Sequence, residues 1–288
     1  MEFLPRLGSG DSTAITVNTQ LLFRGSLILL CYLRFFYKMN PPNSNLRAFN
    51  LAVQTLLTTP SQFLPHLTTP TITHLPESIG PLLEAQYPPP PARTEKEQEN
   101  RKRISIRALI LDKDNTLCPA KTTAFPPKIY AYLHQLRTSP TSPFNISTAP
   151  NSILIVSNRA GSHPRYEAEA LEIEERLAGL KIPVFRLPPS PKEGAPVEKK
   201  PFCGTEVLRW LQERGVVQRA DEIAVVGDRL GTDVLMAKEM GAWSVWCRDG
   251  VGREVTQGKS NLLEKMEVWL ERYLRESRGL KAPTPRGW

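Results

Sequence analysis

The chain has 288 residues, 40% hydrophobic and 23% charged, enough for one substantial domain with appendages, and this composition excludes fibrous and wholly disordered classes. Its net charge of +8 points to an anionic partner, which on charge alone is nucleic acid, acidic lipid or a phosphorylated substrate. The four cysteines, Cys31, Cys118, Cys203 and Cys247, show neither zinc-ligand spacing nor a disulfide framework, which fits a reducing compartment.

Residues 1–38 contain an apolar stretch, Leu21–Tyr37, but Arg24 and Arg34 cut it below the ~20 residues that a spanning helix needs. The segment reads as an atypical extension or targeting sequence, or as an untranslated stretch ahead of a start at Met39. From Met39 to Pro76 there is no acid, and Asn45–Leu57 gathers Leu46, Phe49, Val53, Leu56 and Leu57 on one helical face. Such a helix, carrying Arg47, suits a membrane surface or an import signal, and equally an amphipathic helix packed on a domain. Residues 39–86 are therefore expected as a leader. Pro88–Pro91 stiffens the chain and Glu95–Arg103 is a solvated charge run, so residues 87–103 read as a linker and 104–288 as the globular domain.

Within that domain strand-like runs alternate with helical patterns. Strands are expected at Ile104–Leu111, Asn151–Ser157, Ile182–Leu187, Glu222–Gly227 and Ala242–Trp246. Helices are expected at Pro127–Leu136, Pro164–Leu177, Gly204–Glu213, Thr232–Met240 and Asn261–Glu276, the last packing through Leu262, Met266, Trp269, Leu270 and Tyr273. The alternation implies right-handed crossovers and an α/β fold with a doubly wound parallel sheet. Thr138–Pro150 and Pro188–Glu198 read as surface loops.

The first of these strands ends in Asp112, with Asp114 two residues on and Thr116 closing the pattern. An apolar run that stops at an acid delivers it to the carboxyl edge of a parallel sheet, where open α/β folds bind ligands. Two such carboxylates can divide a phosphoryl transfer: Asp112 attacks phosphorus, and Asp114 protonates the departing oxygen. A hard divalent cation then offsets the repulsion between carboxylate and phosphate. Alone, the pattern does not separate a reaction centre from a strand-ending turn. The later strand ends supply the rest. Ser157 and Asn158 can donate to phosphate oxygens, and Lys200 can neutralise their charge. In Gly227-Asp228-x4-Asp233, Asp228 can complete a cation site with Asp112 and the backbone carbonyl of Asp114, with Asp233 orienting metal waters or Lys200. Cys203 and Arg209 fall in the C-x5-R spacing of cysteine phosphatases, but the loop between them carries Glu206 and runs into a helix, which reads as packing.

This ordered set resembles the haloacid dehalogenase superfamily, and the fuller strings Leu111–Asn115, Ile155–Asn158, Lys199–Pro201, Val225–Leu230, Thr232–Ala237 and Arg248–Gly250 resemble the fungal mitochondrial phosphatidylglycerophosphatases within it. The resemblance implies Asp112 as nucleophile, Asp114 as general acid/base, Ser157, Asn158 and Lys200 on phosphate, and Mg2+ held by Asp112, Asp114, Asp228 and Asp233. It also implies phosphatidylglycerophosphate as substrate, in cardiolipin synthesis. The expected location is the matrix side of the mitochondrial inner membrane, bound peripherally to an anionic surface, with no nucleic-acid or protein partner. The spacing between motifs leaves no room for a separate lid of roughly 50 residues, which favours a phosphate presented by something large. Two other readings stay open at this point: a same-fold Mg-dependent phosphatase acting on a protein or nucleic-acid phosphate, and a non-catalytic membrane adaptor.

Overall fold

Each expected strand contains an apolar run, and in the computed structural model, which describes residues 43–89, 103–189, 197–251 and 262–288, these runs are buried on both faces. The strands are β1 (Leu67–Thr69), β2 (Ala108–Leu111), β3 (Ile153–Val156), β4 (Val184–Phe185), β5 (Ile223–Gly227) and β6 (Trp243–Cys247). They form one parallel sheet in the order β1-β6-β5-β2-β3-β4. Burial on both faces is what a parallel sheet requires, because the crossovers lay helices on each side.

Alternate strand residues divide between two core layers. Leu109, Leu111, Ile153, Ile155, Val226 and Val245 face one layer, closed by α2 (Gly80–Gln86), α3 (Pro127–Thr138) and α4 (Glu167–Arg176). Ala108, Ile110, Leu154, Val156, Ile223 and Val225 face the other, closed by α5 (Gly204–Glu213) and α6 (Leu235–Met240). The doubly wound parallel fold expected from the alternation is thus the fold observed. No separate lid domain stands among the described residues, and none of their helices is long and apolar enough to cross a membrane.

The structure adds detail at both ends of the domain. Residues 43–86, expected as a leader ahead of the domain, belong to the same compact unit. Leu67–Thr69 pairs with β6 as an edge strand, and Ile72, Leu75, Ile79 and Leu83 enter the core. The helix expected at Asn45–Leu57 is α1 (Asn43–Thr58); it buries Ala52, Thr55 and Leu56 against the domain, and Arg47 reaches Glu198 at 3.0 Å while lying over the Phe202 ring. The C-terminal helix, α7 (Leu262–Arg272) followed by a π-helical turn at Tyr273–Ser277, buries Glu267 and Leu274, whereas Leu262 is exposed and Met266, Trp269 and Tyr273 are half-buried. Glu267 is turned inward because its carboxylate accepts the backbone N–H groups of Leu230 and Gly231, a polar demand that outweighs the apolar periodicity. The calls on residues 1–38 and on a start at Met39 lie outside the described residues, as do most of the 87–103 linker and of the Pro188–Glu198 loop.

Thr138–Pro150, expected as a plain surface loop, is pinned from within. Arg137 is fully buried, and its guanidinium donates to the carbonyls of Leu180, Phe144, Ala149 and Pro150 at 2.6–2.9 Å and to Ser152 Oγ at 3.2 Å. Burial draws it down to about 10, still protonated at neutral pH. Four carbonyl oxygens and one hydroxyl satisfy this cation, with no carboxylate among these acceptors. Replacing Arg137 with Ala strands those acceptors and opens a cavity, so the expected loss is about 3 kcal/mol of unfolding free energy. Urea denaturation of wild type and Arg137→Ala measures it directly.

Candidate active site

The chain order along the sheet reverses between β2 and β5. From β2 the chain steps outward to β3 and β4; from β5 it steps the other way to β6, and such a reversal opens a crevice at the carboxyl ends of the strands. Asp112 and Asp228 emerge there side by side, the Asp112 amide donating to Val226 O at 2.9 Å. Asp228 is fixed from two directions: Trp246 Nε1 donates to its backbone carbonyl at 2.8 Å, and Asn115 Nδ2 donates to its carboxylate at 3.0 Å. Asn115 has a left-handed backbone, φ +65°, and rests against Gly250, where an added Cβ would lie 2.4 Å from Asn115 Nδ2. The glycine of the Arg248–Gly250 string therefore makes room for the side chain that holds Asp228.

Asp233 arrives on a π-helical turn, Leu230–Val234, directly after β5. Its carboxylate accepts the Arg229 amide at 3.2 Å and folds back over the strand end. A Cβ on Gly227 would stand 2.3 Å from the Asp233 carboxyl carbon, so only glycine lets this acid approach. Lys200 enters from the segment before α5 and joins the acids: Nζ donates to Asp233 Oδ1 at 2.7 Å and makes a short contact with Asp112 Oδ1. Asn158 Oδ1 accepts the Lys200 amide at 2.8 Å, tying the end of β3 to the same point.

Asp112, Asp228 and Asp233 offer oxygens within 4.8 Å of one another. Burial pushes the Asp112 carboxyl up to about 8, and Asp233 and Asp228 add to the rise while Lys200 opposes it. Burial and Asp233 likewise push Asp228 up to about 7. Burial alone would pull Lys200 down, but Asp112 and Asp233 outweigh it and hold the ammonium above its usual range. Lys200 thus stays charged. Three carboxylates face Lys200, while Arg229 opposes the charge on Asp228 and Glu267 adds a further acid nearby, so acids outnumber cations in this buried pocket, an excess that protons or a divalent cation would offset. The all-oxygen donor set fits a hard cation.

These groups line a cleft of about 730 Å3 together with Asp114, Asn115, Lys121, Asn158, Arg159, Tyr166, Arg229 and Glu264. Of the sequence-expected residues, Asp112, Asp114, Asn158, Lys200, Asp228 and Asp233 therefore share one cleft. Ser157 is buried at the end of β3, its hydroxyl accepting the Arg159 amide at 3.2 Å. The Asp114 carboxylate stands outside the cluster of three acids; it is one-third exposed and accepts the Lys121 amide at 2.8 Å and Lys113 Nζ at 2.9 Å. Any hold of Asp114 on a cation falls to its backbone carbonyl. Cys203 is buried beside Met236, and burial pushes its thiol up to about 12, so it offers no thiolate nucleophile.

Sequence reasoning missed several contributors. Lys113 is wholly buried between Asp114 and Glu169, although a lysine between two acids reads as solvated. Glu267 belongs to a helix with no motif, and burial pushes it up to about 7 as it holds the start of the turn that bears Asp233. Asn115 was legible only as part of a string.

The mitochondrial PGP phosphatase family profile matches residues 46–252. The mitochondrial phosphatidylglycerophosphatase of Saccharomyces cerevisiae is 37% identical over 173 residues, covering 59% of this chain and 79% of that protein. A probable mitochondrial phosphatidylglycerophosphatase of Schizosaccharomyces pombe is 30% identical over 215 residues, covering 73% of this chain and 84% of its own length. No solved structure matches.

The charge surplus has a thermodynamic signature. Asp112 and Asp228 keep protons in the folded state that the unfolded chain has released above its ordinary carboxylate value of 3.8, so stability falls as pH rises from there towards about 8. Chelator-treated protein is expected to melt lower at about pH 8 than at about pH 5.5, and a divalent cation should raise the melting temperature more at the higher pH. Asp228→Asn should shrink both effects. Differential scanning fluorimetry at the two pH values, with and without cation, provides the check.

Proposed function

This chain belongs to the mitochondrial PGP phosphatase family, and on that premise we propose how its cleft hydrolyses phosphatidylglycerophosphate to phosphatidylglycerol and phosphate. Asp112 is the nucleophile. One of its carboxylate oxygens attacks the terminal phosphorus, the phosphorus–oxygen bond to glycerol breaks, and an aspartyl-phosphate forms. Asp114 gives its proton to the departing glycerol oxygen. In the second half Asp114 takes a proton from water as that water attacks phosphorus, the bond to Asp112 breaks, and phosphate leaves. This double role for Asp114 is supported by its part-exposed carboxylate at the cleft wall, outside the cluster of three acids. Lys200, with Asn158 and Ser157, holds the phosphoryl oxygens and meets the charge that develops on them.

Asp112, Asp228 and Asp233, with the Asp114 carbonyl, would hold Mg2+, which when bound supplies charge neutralisation between carboxylate and phosphate. The observation that carries the reading is the acid excess itself: a buried cluster in which Asp112, Asp228 and Asp233 crowd around Lys200 suits a cation-assisted phosphoryl transfer.

The relatives are mitochondrial, and a phospholipid is the family's substrate. We place the reaction at the matrix face of the inner membrane, in cardiolipin synthesis, with the domain bound peripherally to an anionic surface. The apolar flank of α7, where Leu262 is 56% exposed and Met266, Trp269 and Tyr273 are half-buried, supports this placement, because Glu264 of the same helix lines the cleft. A cleft with no lid domain over it among the described residues, beside an amphipathic helix, suits a headgroup that stays anchored in a bilayer.

Asp112→Asn keeps the shape of the side chain and removes the nucleophile. Phosphate release from phosphatidylglycerophosphate in mixed micelles with Mg2+ is expected to fall at least ~10^4-fold, with the fold retained by circular dichroism. Retained turnover in this variant would rule out the assignment.

A further inference from the structure

Arg159 follows the phosphate-side residues Ser157 and Asn158 directly in the chain and lines the same cleft. Its guanidinium is held in place twice over: Nη2 pairs with Glu169 Oε2 at 3.0 Å, and the plane lies over the Tyr166 ring, 4.7 Å from its centroid. Glu169 is itself braced by the buried Lys113. Ser157 Oγ accepts the Arg159 amide, so the backbone of this residue moves with the phosphate side of the site.

What this bracing leaves over is the other edge. Arg159 Nη1 is shielded from water and has no hydrogen-bond partner among the described residues. Being shielded, Nη1 is not the atom that a ligand meets; the part-exposed remainder of the guanidinium, which lines the cleft, offers a fixed positive charge to an anionic oxygen brought in by a ligand. Depth then says which anion. The Lys200 side chain is 3% exposed and the Arg159 side chain 30% exposed, so Lys200 marks the floor of the cleft and Arg159 a level nearer its mouth.

Taking the substrate from the reading above, we propose that Arg159 is a specificity-determining residue: the part-exposed face of its guanidinium binds the phosphodiester of phosphatidylglycerophosphate while the terminal phosphate lies against Asp112 and Lys200. The substrate carries these two anions on either side of one glycerol, the reacting one deep and the diester towards the membrane. A planar, braced guanidinium reads a phosphate oxygen in a way that a flexible ammonium does not. The site thereby distinguishes a headgroup with a diester from a simple phosphomonoester that lacks one.

The test compares two soluble substrates that share the same leaving glycerol: the deacylated headgroup glycerophosphoglycerophosphate, which keeps the diester, and glycerol 3-phosphate, which does not. Wild type is expected to prefer the first. In Arg159→Ala the ratio of the two kcat/KM values should fall by roughly 10- to 100-fold, the scale of one charge-assisted hydrogen bond, mainly through KM on the diester-bearing substrate. Arg159→Lys, which keeps charge but not the planar fork, should fall between. An equal loss on both substrates would overturn the proposal, because it would make Arg159 a brace for Glu169 and Lys113 only. Wild type that turns over both with no preference would overturn it as well. Wild type that hydrolyses glycerol 3-phosphate but neither the headgroup nor the intact lipid would instead contradict the function reading, and this inference with it.

Discussion

The contact between Lys200 and the paired carboxylates of Asp112 and Asp233 is the interaction on which the rest of the site depends. Burying one ammonium against two acids is tolerable because attraction offsets desolvation. Adding Asp228 to the same pocket is not, since its burial and its neighbours push it towards the protonated state. The cluster is therefore favoured by a proton or a cation on board, and the fold spends several devices to keep it together. Gly227 yields the space that Asp233 occupies, Trp246 and Asn115 clamp Asp228, and Glu267 reaches across from α7 to hold the turn between them. Each of these groups fixes one of the acids of the cluster or the turn that carries it.

Parallel pairing of β2 with β5 explains why two motifs more than a hundred residues apart act as one. Register sets Leu111 against Val226, so each strand's next residues leave the sheet at the same level. The crossovers then put the phosphate-side residues of β3 and the lysine before α5 on the near side of that crevice. The absence of a lid among the described residues leaves the cleft open towards α7 and the Arg159 wall, which suits a phosphate delivered on a lipid.

Much of this was legible in the chain. An apolar run that ends abruptly in an acid has one physical meaning in a parallel sheet, and it occurs at Asp112 and again at Asp228. The glycine before Asp228 also signalled a close approach. What stayed hidden follows from interactions without a local pattern. Leu67–Thr69 is too short and too near prolines to read as a strand, and it exists because β6 offers it an edge. Glu267 sits where periodicity predicts solvent, and its burial answers two backbone N–H groups 36 and 37 residues away. Arg137 is held mostly by carbonyls of the irregular stretch that follows it and Lys113 by Asp114 and the distant Glu169, partners that follow no periodic pattern a sequence would show.

The central claim is that Asp112 carries the phosphoryl group between two half-reactions. Its most direct test is a rapid acid quench of enzyme mixed with excess phosphatidylglycerophosphate, followed by peptide mass spectrometry. The expected result is a phosphate on the peptide containing Asp112, absent without substrate and absent in Asp112→Asn. Full turnover with no phosphorylated peptide at any quench time, or a phosphate carried by a different residue, would contradict the account.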